Sequence, residues 1–192
     1  MIPTDPLQRA ALLKTEADQL LSRLGLKELL GSAAVRVELT GSYLLDLMAY
    51  PDIDVMAASL SIEQVFALGA RLARRPGVIQ LVFEPSRDPD LPGGLYLKAR
   101  VDWGDWGRPW KIDIWFLDEM VIERKLGEMH RFQARLTPAL CELILNYKQT
   151  ILTSEKRTPM GSGYWIYRAV LDEGLRSFEA IGAYLRVHGI EV

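Results

Sequence analysis

Three carboxylates and one Gly-Ser pair carry the chemistry available to this sequence. Asp52-Ile53-Asp54 lies in a stretch where acidic and apolar residues alternate. In an extended strand, alternate side chains share a face, so both carboxylates project together, ~6.5–7 Å apart at the backbone. Ile53 and Val55 then face the opposite, buried side. Two carboxylates on one face repel, and a hard divalent cation between them relieves the repulsion by taking oxygen ligands. Eleven residues upstream stands Gly41-Ser42. A Gly-Ser turn entering a helix offers backbone N–H groups, a hydroxyl and a positive dipole end, which suit phosphate. A third carboxylate, Asp113, interrupts the apolar run Lys111-Ile112-Asp113-Ile114-Trp115-Phe116. A buried carboxylate is costly unless paired or metal-bound. A salt bridge to an arginine, or a face open to water, would also accommodate it. The second Asp-x-Asp, Asp88-Pro89-Asp90, falls in a proline-rich stretch and reads as a solvated turn.

The elements that must position these groups follow from periodicity. Leu7, Ala10, Leu13, Ala17, Leu20 and Leu24 recur at helical spacing, predicting a helix over about 6–30, with Pro6 in its first turn and Gly31 as its stop. Val35-Arg36-Val37-Glu38-Leu39 alternates as a half-buried strand that ends at Gly41-Ser42. Residues 43–50 read as a short leucine-rich helix closed by Pro51. A second strand passes through Ile53 and Val55. A helix over about 62–74 is capped by Ser61 or Ser59, with Glu63 in its first turn. Residues 78–83 form a third strand, 85–94 a loop, and 95–103 and 110–117 two strands joined by a short turn around Gly104 and Gly107. Helices are expected at about 118–130, 138–152 and 163–187. The order predicts an α+β core over 1–118, with its N-terminal helix, and a helical C-terminal subdomain over 119–192.

Gly41-Ser42, nine intervening residues, Asp52-Ile53-Asp54-Val55 and then the strand Asp113 together resemble the nucleotidyltransferase superfamily of the DNA polymerase beta type, and most of all its small bacterial-style members. The resemblance covers about residues 34–117. Tyr43-Leu44-Leu45-Asp46 follows Gly-Ser where many members carry a small or basic residue and a glycine, and Pro51 stands where a serine is common. The resemblance implies a mixed β-sheet flanked by helices. It also implies Mg²⁺-dependent transfer of a nucleoside monophosphate from a nucleoside triphosphate, ATP being the expected one, to a hydroxyl of a small molecule, a protein or an RNA end, with release of pyrophosphate. Asp52, Asp54 and Asp113 would be the catalytic, metal-holding residues. Gly41 and Ser42 would bind the phosphates, and Lys148 would reach the triphosphate from the helical subdomain. Small members also occur beside a helical partner in toxin–antitoxin pairs. A non-catalytic nucleotide-binding, regulatory or partner-binding module on the same fold is therefore the alternative.

Composition narrows the field further. Over 192 residues the chain has 49% apolar and 25% charged residues and a net charge of −2, a globular composition. That balance disfavours long nucleic acid as the main partner, although a local basic groove remains compatible with it. The single Cys141 excludes an internal disulfide and reads as a small core residue. Met1 to Pro6 lacks a basic region leading into an apolar run, and no stretch is long enough for a membrane span. A cytoplasmic protein is expected. Trp103, Trp106, Trp110 and Trp115 form either a stacking platform or hairpin packing partners. Asp102 and Asp105 read as turn formers. Lys98 and Arg100 face either phosphate or solvent. Arg71, Arg74 and Arg75 suit a helix C-terminus. Met160-Gly161-Ser162-Gly163 reads as a linker and helix cap rather than a second phosphate loop. His130 and His188 have no metal-ligand spacing.

Overall fold

A computed structural model describes residues 3–192. Met1 and Ile2, on which the reading of the N-terminus partly rests, lie outside the described residues. Helix α1 (Pro6–Leu24) starts where the Asp5 carboxylate accepts a hydrogen bond from Gln8 N, with Pro6 at its first position. Its buried positions Ala10, Leu13, Ala17, Leu20 and Leu24 repeat at intervals of three and four. The single long helix expected over 6–30 is in fact two. Gly25 adopts a left-handed conformation (φ 54°) that closes α1 and redirects the chain into α2 (Leu26–Gly31).

Five strands follow: β1 (Val37–Thr40), β2 (Asp52–Ala58), β3 (Val78–Pro85), β4 (Leu95–Val101) and β5 (Trp110–Leu117). They form one mixed sheet in the order β1-β2-β5-β4-β3, in which β2 and β5 run parallel and the other pairs antiparallel. Alternation sorts the two faces. Ile53, Val55, Leu97, Ala99, Val101, Ile112 and Ile114 enter the main core together with the buried leucines of α1 and α2. They also meet Val65, Leu68 and Leu72 of α4 (Ile62–Leu72), which is capped by Ser61 in a reciprocal bond with Gln64. At ~1.5–3 kcal/mol for each fully buried aliphatic side chain, this face anchors the sheet. The other face carries Asp52, Asp54 and Asp113 and is only partly covered, by α5 (Glu119–Gln133) through Met56, Leu117, Ile122 and Leu126.

The remaining helices are α6 (Pro138–Thr150), α7 (Ser162–Tyr167) and α8 (Phe178–Val187). They pack around Phe132, Ile144, Leu145, Ile166, Leu171, Ile181 and Leu185, and this cluster also takes in Ala10, Leu45 and Leu47. Two further expected helices differ from the structure. After Gly41-Ser42, α3 (Gly41–Leu44) makes a single turn instead of reaching residue 50. Asp46 takes a positive φ of 55° there, and Lys14 holds the turn by bonding to Tyr43 O and pairing with Asp46. The segment 163–187 is likewise interrupted. A π-helical turn, Arg168–Asp172, follows α7, and a loop at 173–177 ends on Ser177, which caps α8. No helix among the described residues is long and apolar enough to cross a membrane.

Candidate active site

Sheet register brings the three carboxylates together. Asp54 and Asp113 are direct partners on the parallel strands β2 and β5, and Asp52 lies opposite Lys111 in the next row on the same face. One oxygen from each of Asp52, Asp54 and Asp113 lies within 4.8 Å of the others. Asp52 and Asp113 are buried, and Asp54 keeps partial exposure. Lys111 Nζ sits between two of them, 2.7 Å from Asp113 Oδ2 and 3.2 Å from Asp52 Oδ1. Tyr96 OH donates to Asp113 Oδ1 at 2.6 Å. The partner of Asp113 is thus a lysine two residues away in the same strand, not an arginine. Asp52 Oδ1, for all its closeness to Lys111, is a buried oxygen without a hydrogen-bond donor.

This donor set fits a divalent cation. It consists of oxygens only, it is held by rigid strands, and one of its buried oxygens lacks a donor. Three carboxylates against the single ammonium of Lys111 leave two negative charges when all are ionised. The electrostatics agree. Burial pushes the Asp52 carboxyl up to about 6, with Lys111 opposing the rise and Asp113 adding to it. Burial, then Asp52 and Asp113, holds Asp54 well above the usual carboxylate range. Burial depresses Lys111, but its acidic neighbours outweigh that and hold it firmly charged.

A pH dependence follows. Asp52 ionises at a higher pH in the folded chain than in the unfolded one. Its stabilising contribution is therefore complete below about pH 4 and is lost as pH rises through about 6. Without metal, the chain should gain roughly 1 kcal/mol on going from pH 6.5 to 5. Denaturant titration checks this, and the gain should shrink in Asp52→Asn and with Mg²⁺ present.

Gly41 and Ser42 flank the carboxylates. Gly41 has φ 60°, and a Cβ built there would lie 2.2 Å from Asp54 Oδ2, so only glycine lets the turn approach the carboxylate this closely. The four-residue α3 carries little of the dipole expected from a longer helix, so an anion here meets N–H groups and the Ser42 hydroxyl at short range. Gly41, Ser42 and the three carboxylates line one cavity of about 310 Å³. Its far wall comes from α6, α7 and the segment between them, through Lys148, Arg157, Thr158, Tyr164 and Tyr167. Lys148 is 2% exposed and donates to Leu47 O at 2.8 Å and to the Tyr167 hydroxyl at 2.7 Å. Burial lowers it to about 7, with Asp54 and Asp52 opposing the shift.

The other singled-out residues lie as follows. Of the tryptophans, two make cross-strand pairs between β4 and β5: Trp115 with Tyr96, ring centroids 4.6 Å apart, and Trp110 with Val101. Trp110 fills the core. Trp106 donates to Glu16, and Trp103 lies under Arg23. Asp102 and Asp105 are exposed in the β4–β5 connection. Arg71 bonds the Ser32 hydroxyl at the end of α4. Met160, Gly161 and Gly163 line the cavity, with Gly161 preceding the first turn of α7. His130 is exposed, and His188 stacks on Trp165. Cys141 packs partly buried against the helical cluster. Sequence reasoning does not single out Lys111 and Tyr96 as partners of Asp113. The alternation Lys111-x-Asp113 within one strand is the available signal for the first. Tyr50, Tyr164 and Tyr167 carry no local signal.

No family model and no curated protein sequence matches the chain. Solved structures do. A GLD-2/RNP-8 complex superposes with a TM-score of 0.50 at 10% identity, over 88% of this chain and 60% of the other. The poly(A) polymerase complex GLD-2–GLD-3 gives 0.51 at 12%, over 90% and 55%. The Cid1 poly(U) polymerase, with Mg and 3′-dATP bound, gives 0.50 at 16%, over 81% and 50%. The chain therefore shares the fold of these polymerase structures. The chain spans between half and three fifths of the length of these neighbours.

Proposed function

We propose that the protein is a Mg²⁺-dependent nucleotidyltransferase that moves a nucleoside monophosphate from a nucleoside triphosphate, ATP first among them, to a hydroxyl acceptor and releases pyrophosphate. The observation that carries this reading is the meeting of Asp52, Asp54 and Asp113 on the floor of a cavity whose rim is Gly41-Ser42. Asp52 and Asp54 would hold the metal, with Asp113 completing a second metal position. When bound, Mg²⁺ supplies charge neutralisation for the triphosphate and lowers the pKa of an attacking hydroxyl. Gly41 N–H and the Ser42 hydroxyl orient the β- and γ-phosphates. Asp113 faces the acceptor and receives its proton as the acceptor oxygen bonds to the α-phosphorus and the bond to pyrophosphate breaks. Most of the rate enhancement then comes from positioning and charge. Lys148 approaches the phosphates from the helical side. The division into a core over 1–118 and a helical subdomain over 119–192 belongs to the same proposal, with the cavity where they face each other.

The direct test is pyrophosphate release from each nucleoside triphosphate with Mg²⁺ and a panel of hydroxyl acceptors. The proposal expects release that EDTA abolishes, and no release with any pair would contradict it. A finer test concerns Lys148. Its truncation in Lys148→Met should weaken triphosphate binding about tenfold, the scale of a charge-assisted hydrogen bond, while leaving AMP binding nearly unchanged. Calorimetric titration with both nucleotides reads the difference.

A second reading, a non-catalytic nucleotide-binding or partner-binding module, is favoured by one observation. Lys111 already pairs with two of the three carboxylates and so supplies an internal cation. Under that reading added metal would leave the chain's melting temperature unchanged. Under the transferase reading Mg²⁺ raises it.

A further inference from the structure

Across the face that bears the carboxylates, register sets the residues out in rows. One row runs Thr40, Asp54, Asp113, Lys98, and the next runs Asp52, Lys111, Arg100, Gln80. Gly41-Ser42 continues directly from Thr40, so the donor's phosphates occupy the β1 flank. An acceptor must then come from the opposite flank, over β4. Strands are ~4.8 Å apart, so Lys98 stands one strand beyond Asp113, and Arg100 one strand beyond Lys111. The opposite side of β4, Leu97, Ala99 and Val101, is buried, which fixes Lys98 and Arg100 on the site face. Both are partly exposed, and among the described residues neither has a carboxylate within salt-bridge distance.

Further cations extend this strip. Arg108, in the β4–β5 connection, donates to the Glu155 carbonyl, and its buried Nε has no hydrogen-bond partner. Arg157 lines the cavity and pairs with the Glu155 carboxylate, which lies close enough to Arg100 and Arg108 to sense both charges. Lys98, Arg100 and Arg108 thus stand beside the reaction centre with no salt-bridge partner among the described residues, whereas Arg157 is paired with Glu155. Cations left without an ion-pair partner are stabilised by an added anion, and guanidinium forks match phosphate oxygens.

We propose that Lys98 and Arg100, backed by Arg108, hold a phosphate group of the acceptor next to the hydroxyl that the site modifies. The inference rests on the transferase reading and narrows it: the acceptor is a phosphate ester, either a phosphorylated small molecule or the terminal phosphodiester of an RNA end, rather than an uncharged sugar or a protein hydroxyl.

The test uses the full chain in EDTA, without triphosphate. Binding is followed by fluorescence anisotropy of a 5′-labelled 12-mer oligoadenylate RNA, and by calorimetry with ribose 5-phosphate and with ribose. At least one of the two phosphorylated probes should bind, and ribose should not. The affinity should fall about tenfold or more in Lys98→Gln/Arg100→Gln, the scale of lost charge-assisted bonds, and by less in Arg100→Lys, which keeps the charge but loses the fork. Binding of RNA alone identifies a polynucleotide acceptor, and binding of ribose 5-phosphate alone a small one. Either supports the proposal. Failure of both phosphorylated probes to bind, or unchanged affinity in the double variant, overturns it. Mg-ATP titration of the same proteins keeps the two readings apart. The double variant should bind Mg-ATP as the wild type does. Absence of Mg-ATP binding in the wild type, with the phosphate probe still held by Lys98 and Arg100, would defeat the transferase reading while leaving the phosphate site standing.

Discussion

Asp54→Asn is expected to reduce nucleotidyl transfer by at least ~10³-fold, because it removes a metal-holding carboxylate from the centre of the site. The same change should make the metal-free chain more stable. Asp54 lies beside Asp52 and Asp113, and burial together with these neighbours disfavours its charge. A neutral amide of the same shape removes that repulsion, a gain of about 1 kcal/mol. The opposite signs are what separate this site from a structural ion-pair network, where losing a member of the network costs stability. Pyrophosphate release and thermal melting of one variant read both effects. A variant that is both active and less stable would assign Asp54 a structural role.

Gly41→Ala is expected to be nearly as damaging, although it adds only one methyl group. The positive φ penalises any side chain by ~1–2 kcal/mol, and the new Cβ would overlap Asp54 Oδ2 at 2.2 Å. Asp54 or the turn must shift, and a displacement of about 1 Å at a reacting centre costs ~10²-fold in rate. We expect a stability loss of roughly 2–4 kcal/mol together with that loss of activity. Gly31→Ala is the matched control. Nothing lies within 4 Å of its added Cβ and its φ is ordinary, so stability and activity should hold. Denaturant unfolding and the transfer assay on both variants check the contrast.

Much of this arrangement is legible in the amino-acid sequence. Alternation around Ile53 sets both carboxylates of the Asp-x-Asp on one face, and the strand–helix order gives the class of fold. What alternation cannot give is the neighbour of β2. Asp113 joins Asp54 only because β5 pairs parallel with β2 across intervening β3, α4 and β4, a non-local choice for which the resemblance, not periodicity, supplies the expectation. Local conformation misleads at Gly25, whose left-handed turn splits the first expected helix, and in two further places. The leucines at 44–47 suggest a helix, but Leu45 and Leu47 point into the helical cluster from a turn fixed by Asp46 and Lys14. The apolar period over 164–185 runs through a π-helical turn and a loop because both ends pack into the same core. The cavity wall from Tyr50, Tyr164 and Tyr167 depends on how α6 and α7 lie against the sheet, and single side chains in the sequence do not encode that.

The most direct test of the central claim is a titration of the chain with Mn²⁺, used as a spectroscopic stand-in for Mg²⁺, in the presence of a non-hydrolysable ATP analogue and followed by electron paramagnetic resonance. Our account predicts saturable uptake that Asp52→Asn or Asp54→Asn strongly weakens and Asp113→Asn reduces. Uptake that is absent, or equal in all four proteins, would contradict it.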